Sequence, residues 1–222
     1  MSLEIINNPI LVMLQDKGRY GYSDIGVTNS GVMDEYAYYA ANKMLGNSFD
    51  TNILEIAFSN VIFKANAPTQ IAITGAICEL FINDISKQCW QTHNVKAGDI
   101  IKIGKILKGI RVYLGVFGGF DIKKEFGSNS TTIKENLGGL NGDKLKKGDI
   151  LAFKEISCSF DARFKKELIP SYEDELILRV VLSYQSDLFA NEEKEKFFSN
   201  SFTVSNDFNR MGCKLNGASI LC

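Results

Sequence analysis

The sequence predicts an all-β protein, β-rich and interrupted by two short helices. Three observations predict it. The apolar runs are short and separated by Gly, Asn and Asp. Pairs such as Ile71/Ile73 and Ile101/Ile103 alternate with other residues, as a strand with one buried face requires. Only two stretches read instead as helices.

In chain order, residues 10–15 form the first expected strand. Residues 34–45 follow as a helix, because Ala37, Ala40, Ala41 and Met44 recur at helical spacing. Asp34 and Glu35 suit its positive N-terminal end and Gly46 its stop; either Ser30 or Asp34 is the cap. Strands are expected at 53–58, 61–65, 71–74, 79–82, 100–106, 110–117 and 150–153, then at 176–182 and 202–205. The second helix is expected after Asn191, with Glu192 and Glu193 in its first turn and Phe197/Phe198 packing inward. Asn83-Asp84, Asn141-Gly142 and Asn216-Gly217 suit tight turns with positive φ. The run Lys96-Ala97-Gly98-Asp99-Ile100 recurs as Lys146-Lys147-Gly148-Asp149-Ile150. That echo is either common hairpin chemistry used twice or the mark of two related barrels. Residues 1–160 are expected as an N-terminal β-barrel domain, 161–175 as a charged linker containing Pro170, and 176–222 as part of a second domain.

A hydrophobic fraction of 45% and a charged fraction of 23% are those of an ordinary globular protein. A formal net charge of -1 gives no basis for binding nucleic acid or an anionic membrane. The five cysteines form no C-x-x-C pair and no metal-ligand rhythm. Such a scattered set fits reduced thiols in the cytoplasm, and no metal site is expected. His93 is the only histidine, which argues against a Ser-His-Asp triad; it reads as an exposed loop residue. No G-x-x-x-x-G-K-[ST] phosphate loop occurs.

Four blocks near the N-terminus combine acids, an arginine and glycines in a way a core does not need. They are Gln15-Asp16-Lys17-Gly18-Arg19-Tyr20-Gly21-Tyr22, Ser30-Gly31-Val32-Met33-Asp34, Ala41-Asn42-Lys43-Met44-Leu45-Gly46-Asn47 and Leu54-Glu55-Ile56. Downstream stand Thr74-Gly75-Ala76, Gly109 to Leu114 with Gly118-Gly119, Gly127-Ser128-Asn129-Ser130-Thr131, and Asn209-Arg210-Met211-Gly212. This ordered set resembles the biotin-dependent carboxyltransferase family, also called allophanate hydrolase subunit 2 or the 5-oxoprolinase C-subunit. The family includes the antagonist of the sporulation-kinase inhibitor. The resemblance runs from about Leu3 to Gly217. Ser183-Tyr184 replaces the family's usual Gly-Pro, and Asn209 stands where Asp is common.

The resemblance implies cyclophilin-like β-barrel domains, the second expected to be incomplete here. It implies a cytoplasmic subunit of an ATP-dependent 5-oxoprolinase, turning 5-oxoproline, ATP and water into glutamate, ADP and phosphate. A companion subunit of similar fold and a separate lactam hydrolase subunit are the implied partners, and self-association is a further expectation. One alternative is carboxyl transfer from carboxybiotin to a urea-like nitrogen, with biotin as cofactor. Another is a non-enzymatic regulator that binds a histidine-kinase inhibitor.

On this reading Asp16, Arg19 and Asp34 are the catalytic candidates: arginine for developing negative charge, and an acid to orient it or manage a proton. Substrate-binding candidates are Glu55, Arg111, Tyr113, Gly127, Ser128, Ser130, Thr131 and Arg210. Alternation puts Arg111 and Tyr113 on one strand face, where Arg111 either holds a substrate carboxylate or pairs with Glu55 or Asp16 inside the barrel. Glu55 is either an acid at the barrel mouth or the solvent face of an edge strand. The 127–131 loop is either an anion cradle or a plain turn. Asp16, Arg19, Arg111, Ser128 and Ser130 are expected to meet in one cleft.

Overall fold

A computed structural model describes residues 1–58, 60–154, 161–210 and 212–222. The chain divides into two compact units, Met1–Asp174 and Glu175–Cys222.

The first unit is built on a curled antiparallel sheet, a half-barrel. Its elements are β1 (Ser2–Ile5), β2 (Leu11–Gln15), α1 (Glu35–Met44), β3 (Ile53–Ala57), β4 (Val61–Ala65), β5 (Thr69–Ile82), β6 (Ile85–Lys87), β7 (Gln91–Val95), β8 (Ile100–Val116) and β9 (Ile150–Ala152). The 17-residue β8 is the spine. Its first half pairs with β4, Val61 opposite Ile103, and its second half with β3, Leu54 opposite Leu114. Its other edge follows β5 from Ile82 opposite Ile101 to Ile71 opposite Val116. β2 extends the β3 side, while β1 joins β4 to β9.

The expected strands at 71–74 and 79–82 are one strand, as are those at 100–106 and 110–117. Glycine in each reads as a break, yet Gly75 takes φ +86 at a register shift, so β5 bends and continues. β1, β6 and β7 escape the sequence because their apolar content is sparse. β7, Gln91–Val95, buries Thr92 and Val95 and carries His93. His93 is therefore a half-buried strand residue, not an exposed loop residue; burial lowers its pKa.

Inside the curl lies a dry core containing Leu14, Leu54, Ile56, Phe63, Ile73 and Leu114. α1 covers the opposite face of the sheet. Asp34 is its cap, its carboxylate accepting from the Ala37 N–H at 2.9 Å, and Gly46 at φ +65 follows its end. Ala37, Ala40, Ala41 and Met44 pack down as the spacing predicts, together with Tyr38. Gly115 lies close beneath Leu45: a Cβ there would stand 2.9 Å from the Leu45 Cδ1, which would have to shift. Thr74 fastens sheet to helix through its hydroxyl and the Ala37 carbonyl, 2.7 Å apart.

The sequence echo is common hairpin chemistry. Asp99 accepts from the Lys96 N–H at 2.8 Å, and Asp149 from the Lys146 N–H at 2.9 Å. Both copies lie in the first unit, so they do not mark two barrels. Asn83-Asp84 is a hairpin turn with φ +52 and +60. Asn216, by contrast, ends a strand.

Residues expected as a linker, 161–175, instead hydrogen-bond along β7. The Thr92 N–H donates to Ala162 O at 2.9 Å and the Phe164 N–H to Trp90 O at 2.9 Å. The unit boundary falls after Asp174.

The second unit contains α2 (Asn191–Ser199), β10 (Thr203–Asn209) and β11 (Gly212–Asn216). β10 and β11 form a hairpin. Residues 176–182 form no strand; Ile177 and Val181 are 96% exposed. Phe197 packs on Phe202 with ring centroids 5.3 Å apart, whereas Phe198 faces outward. Among the described residues no helix is long and apolar enough to cross a membrane.

Candidate functional site

The sequence-selected residues separate into two polar groups joined by one loop. The first closes around Asp16, directly after β2. Its Oδ1 accepts from the Ser128 and Ser130 hydroxyls, each at 2.6 Å, and from the Gly18 N–H at 2.8 Å. Its Oδ2 accepts from the Asn129 N–H at 2.6 Å. Thr131 turns away, donating to the Leu14 carbonyl from both its N–H and its hydroxyl. Phe126 and Gly127, at φ +50 and +75, form the preceding tight turn between Glu125 and Ser128. The loop is thus an anion cradle whose anion is Asp16.

Arg19 belongs to the same knot. Its guanidinium donates to the Thr132 hydroxyl at 2.6 Å and to the Ser130 carbonyl. Burial lowers its pKa, opposed by the charges of Asp16, Glu135 and Glu125. Gly138 lets these groups close: a Cβ there would collide with the Ser130 carbonyl oxygen and stand 2.7 Å from the Arg19 guanidinium. Asp16, Arg19, Ser128, Ser130 and Thr131 are all no more than 2% exposed.

The second group lies under the N-terminal end of α1, on the sheet face outside the apolar core. Glu55 in β3 and Tyr113 in β8 are directly opposed. The Tyr113 hydroxyl donates to Glu55 Oε2 at 2.9 Å, and the Met33 N–H donates to the same oxygen at 2.9 Å. Arg111 Nη1 stands 3.3 Å from Glu55 Oε1; the Glu55 side chain is fully buried, while Arg111 keeps 20% of its side-chain surface in solvent. The Tyr113 oxygen accepts from the Asp34 N–H at 2.8 Å, and the Asp34 carboxylate accepts from the Tyr172 hydroxyl at 2.8 Å. Burial, then the charge of Glu55, pushes the Tyr113 phenol well above its ordinary range. Tyr172 is pushed up by burial and its hydrogen bond to Asp34. Both phenols therefore remain donors at neutral pH.

Residues 30–34 connect the groups. The Ser30 hydroxyl donates to Thr131 O at 2.9 Å, the Val32 N–H to Asp16 O at 3.0 Å and the Met33 N–H to Glu55. The single cleft expected for Asp16, Arg19, Arg111, Ser128 and Ser130 is replaced by a buried knot and a separate row that reaches the surface at Arg111. The Arg111–Glu55 pair forms, but outside the apolar core rather than within the barrel. Glu55 is neither a mouth acid nor a solvent-facing one, because α1 and its entry loop cover it. Arg210 directly follows β10 in the second unit.

Sequence reasoning missed Tyr172, Thr132 and Gly138. Tyr172 fell in the expected linker, where an aromatic two residues after Pro170 was the only signal. Beside α1, a groove of about 580 Å³ is lined by Tyr36, Tyr39, Lys43, Phe49, Phe164 and Leu168 together with Ala40. Tyr36 and Tyr39 thus serve the surface while Tyr38 serves the core. Among the described residues no three His, Cys, Asp or Glu side chains group as for a metal ion.

Residues 25–221 match the family described as Carboxyltransferase domain, subdomain A and B. Urea amidolyase of Saccharomyces cerevisiae is 36% identical over 212 residues, covering 90% of this chain and 11% of that protein. The 5-oxoprolinase C-subunit of Escherichia coli is 31% identical over 216 residues, covering 97% of this chain and 68% of that protein. The crystal structure of Kluyveromyces lactis urea carboxylase superposes with a TM-score of 0.81 at 32% identity, covering 98% of this chain and 20% of that one. The chain therefore spans only a small part of the urea-acting relatives and about two thirds of the 5-oxoprolinase relative.

Proposed function

Because this chain belongs to the family of carboxyltransferase domains, subdomains A and B, we propose that it serves as a subunit of a cytoplasmic, ATP-dependent 5-oxoprolinase. The observation that carries this reading is Arg111. One buried carboxylate, Glu55, fixes its position, and 20% of its side-chain surface remains in solvent. 5-Oxoproline carries a free carboxylate beside its lactam, and a fixed arginine that keeps part of its side chain in solvent is suited to it. Urea carries no such group.

The roles follow from the row. Glu55 orients Arg111, and Tyr113 and the Met33 N–H orient Glu55. Asp34, held by Tyr172, is the group in this row able to accept a proton near the surface. The buried Asp16 knot holds residues 30–34 in place, so Asp16, Arg19, Ser128, Ser130 and Thr131 act as positioning residues. ATP does not fit the 127–131 loop, because its hydroxyls and the Asn129 N–H already serve Asp16 or Leu14. The companion of similar fold and the lactam hydrolase make up the rest of the proposed assembly.

A second reading has its own support in the 36% identity to urea amidolyase: transfer of a carboxyl group from carboxybiotin to a urea-like nitrogen. The partly exposed Arg111 also suits the carboxylate of carboxybiotin. One reconstitution separates the two. The chain is combined with its companion and hydrolase subunits, and ATP-dependent glutamate release from 5-oxoproline is measured. In parallel, the chain is supplied with a biotin carrier, a biotin carboxylase, bicarbonate, ATP and urea. Glutamate release by the complex and none by the chain alone is expected. Urea carboxylation without glutamate release would replace the first reading by the second.

A further inference from the structure

Cys78 lies in β5 and Cys89 between β6 and β7, with their Sγ atoms 3.6 Å apart. Leu80 stands opposite Lys87; carrying that register two residues further sets Cys78 opposite Cys89. Both side chains are half-buried. Cys213 and Cys222 belong to the second unit and are exposed, and Cys158 lies outside the described residues. The 11-residue separation of Cys78 and Cys89 matches no redox motif, so only the hairpin register reveals the pair.

We propose that Cys78 and Cys89 are a redox modification site, forming a reversible intramolecular disulfide with a low-molecular-weight disulfide as oxidant. The contact makes the two thiols unequal. The hydrogen bond from Cys78 holds Cys89 below the ordinary thiol range, while that bond and then burial push Cys78 up. The Cys89 thiolate attacks one sulfur of the small disulfide, forming a mixed disulfide and expelling one small thiolate. Cys78 then loses its proton and attacks the Cys89 sulfur, which expels the second small thiolate. Two protein thiols are oxidised, one small disulfide is reduced to two thiols, and the released protons go to the departing thiolates. Bonded sulfurs stand about 2.05 Å apart, so the pair must close by roughly 1.5 Å.

That closure pulls on the segment behind the Arg111 row. Cys89 adjoins Trp90, the only tryptophan of the chain. The Trp90 indole N–H donates to Gly75 O at 3.1 Å. Gly75 in turn backs onto β8: a Cβ there would collide with the Arg111 carbonyl oxygen and stand 3.1 Å from the Tyr113 ring.

The test equilibrates the full chain in glutathione buffers of graded oxidised-to-reduced ratio. The denatured thiol count is expected to fall by two on oxidation. Non-reducing peptide mapping is expected to link Cys78 to Cys89. Trp90 emission is expected to change in step and to return with dithiothreitol. Cys78→Ser and Cys89→Ser should each remove the link and the emission change, while a Cys213→Ser/Cys222→Ser variant should keep both. Circular dichroism establishes that each variant is folded. Folded wild-type protein with no Cys78–Cys89 link at the most oxidising ratio would overturn the proposal. So would an emission change that survives in Cys78→Ser.

Discussion

Asp16 and Glu55 are both buried carboxylates, 2% and 1% exposed, yet they sit in opposite kinds of surroundings. The donors to the Asp16 carboxylate come from the chain beside it and from the 128–130 loop, and the group closes on itself. Glu55 belongs to an open row, which ends at the partly exposed Arg111 on one side and at Asp34 and Tyr172 on the other. Negative charge, arginine and hydroxyls occur in both. What separates them is the direction of the donors: inward onto a fixed internal anion, or along a row that ends at a partly exposed arginine.

The largest effect on stability is expected from Asp16→Ala. It strands two hydroxyls and two N–H groups in a site that water does not reach. At about 1–3 kcal/mol per stranded group, partly relieved by relaxation, the loss is on the order of 3–5 kcal/mol. Urea unfolding of the purified chain measures it. A loss within about 0.5 kcal/mol would remove the distinction between knot and row.

Arg111→Met comes next for the fold and first for substrate. Glu55 keeps its donors from Tyr113 and Met33 but loses its cation, and Arg111 is partly exposed, so a cost of about 1–3 kcal/mol is expected. In the reconstituted complex, KM for 5-oxoproline should rise about tenfold or more. Tyr172→Phe removes one hydrogen bond to Asp34 and should cost about 1 kcal/mol in the same unfolding assay.

The smallest expected effect concerns Asp99, which repeats the logic of an internally satisfied carboxylate at the surface. The Lys96 N–H and then the Asn83 amide hold its carboxyl below the ordinary range. The folded pKa lies below the unfolded one. The stabilisation is therefore complete above the unfolded value of about 3.9 and is lost as pH falls through the folded value. Thermal melts of Asp99→Asn should fall slightly below wild type at neutral pH, and the gap should close in acid.

Much of the fold was legible in the sequence. The cap, the stop and the buried alanines of α1 follow from spacing and residue type, and so do most strands of the first unit. Long β5 and β8 were not, because Gly75 and Gly109 look like breaks when they are bends. The strand at 176–182 was expected from apolar content alone, which cannot distinguish a paired strand from an exposed run. For the site, the residue types at Asp16, Arg19 and Arg111 were readable, but their grouping was not. Whether Ser128 and Ser130 face a ligand or Asp16 depends on where β2 ends, and that is a property of the folded sheet. Tyr172 was hidden for a similar reason: only the return of residues 161–172 along β7 brings it to Asp34.

The distinction between knot and row is tested most directly by comparing Ser128→Ala and Arg111→Lys in the reconstituted complex, recording KM for 5-oxoproline and the melting temperature of each. Ser128→Ala should lower the melting temperature and leave KM within about twofold. Arg111→Lys should raise KM about tenfold with a smaller change in melting temperature. The reverse pattern, with KM following Ser128 and indifferent to Arg111, would contradict the account and return the 127–131 loop to the substrate.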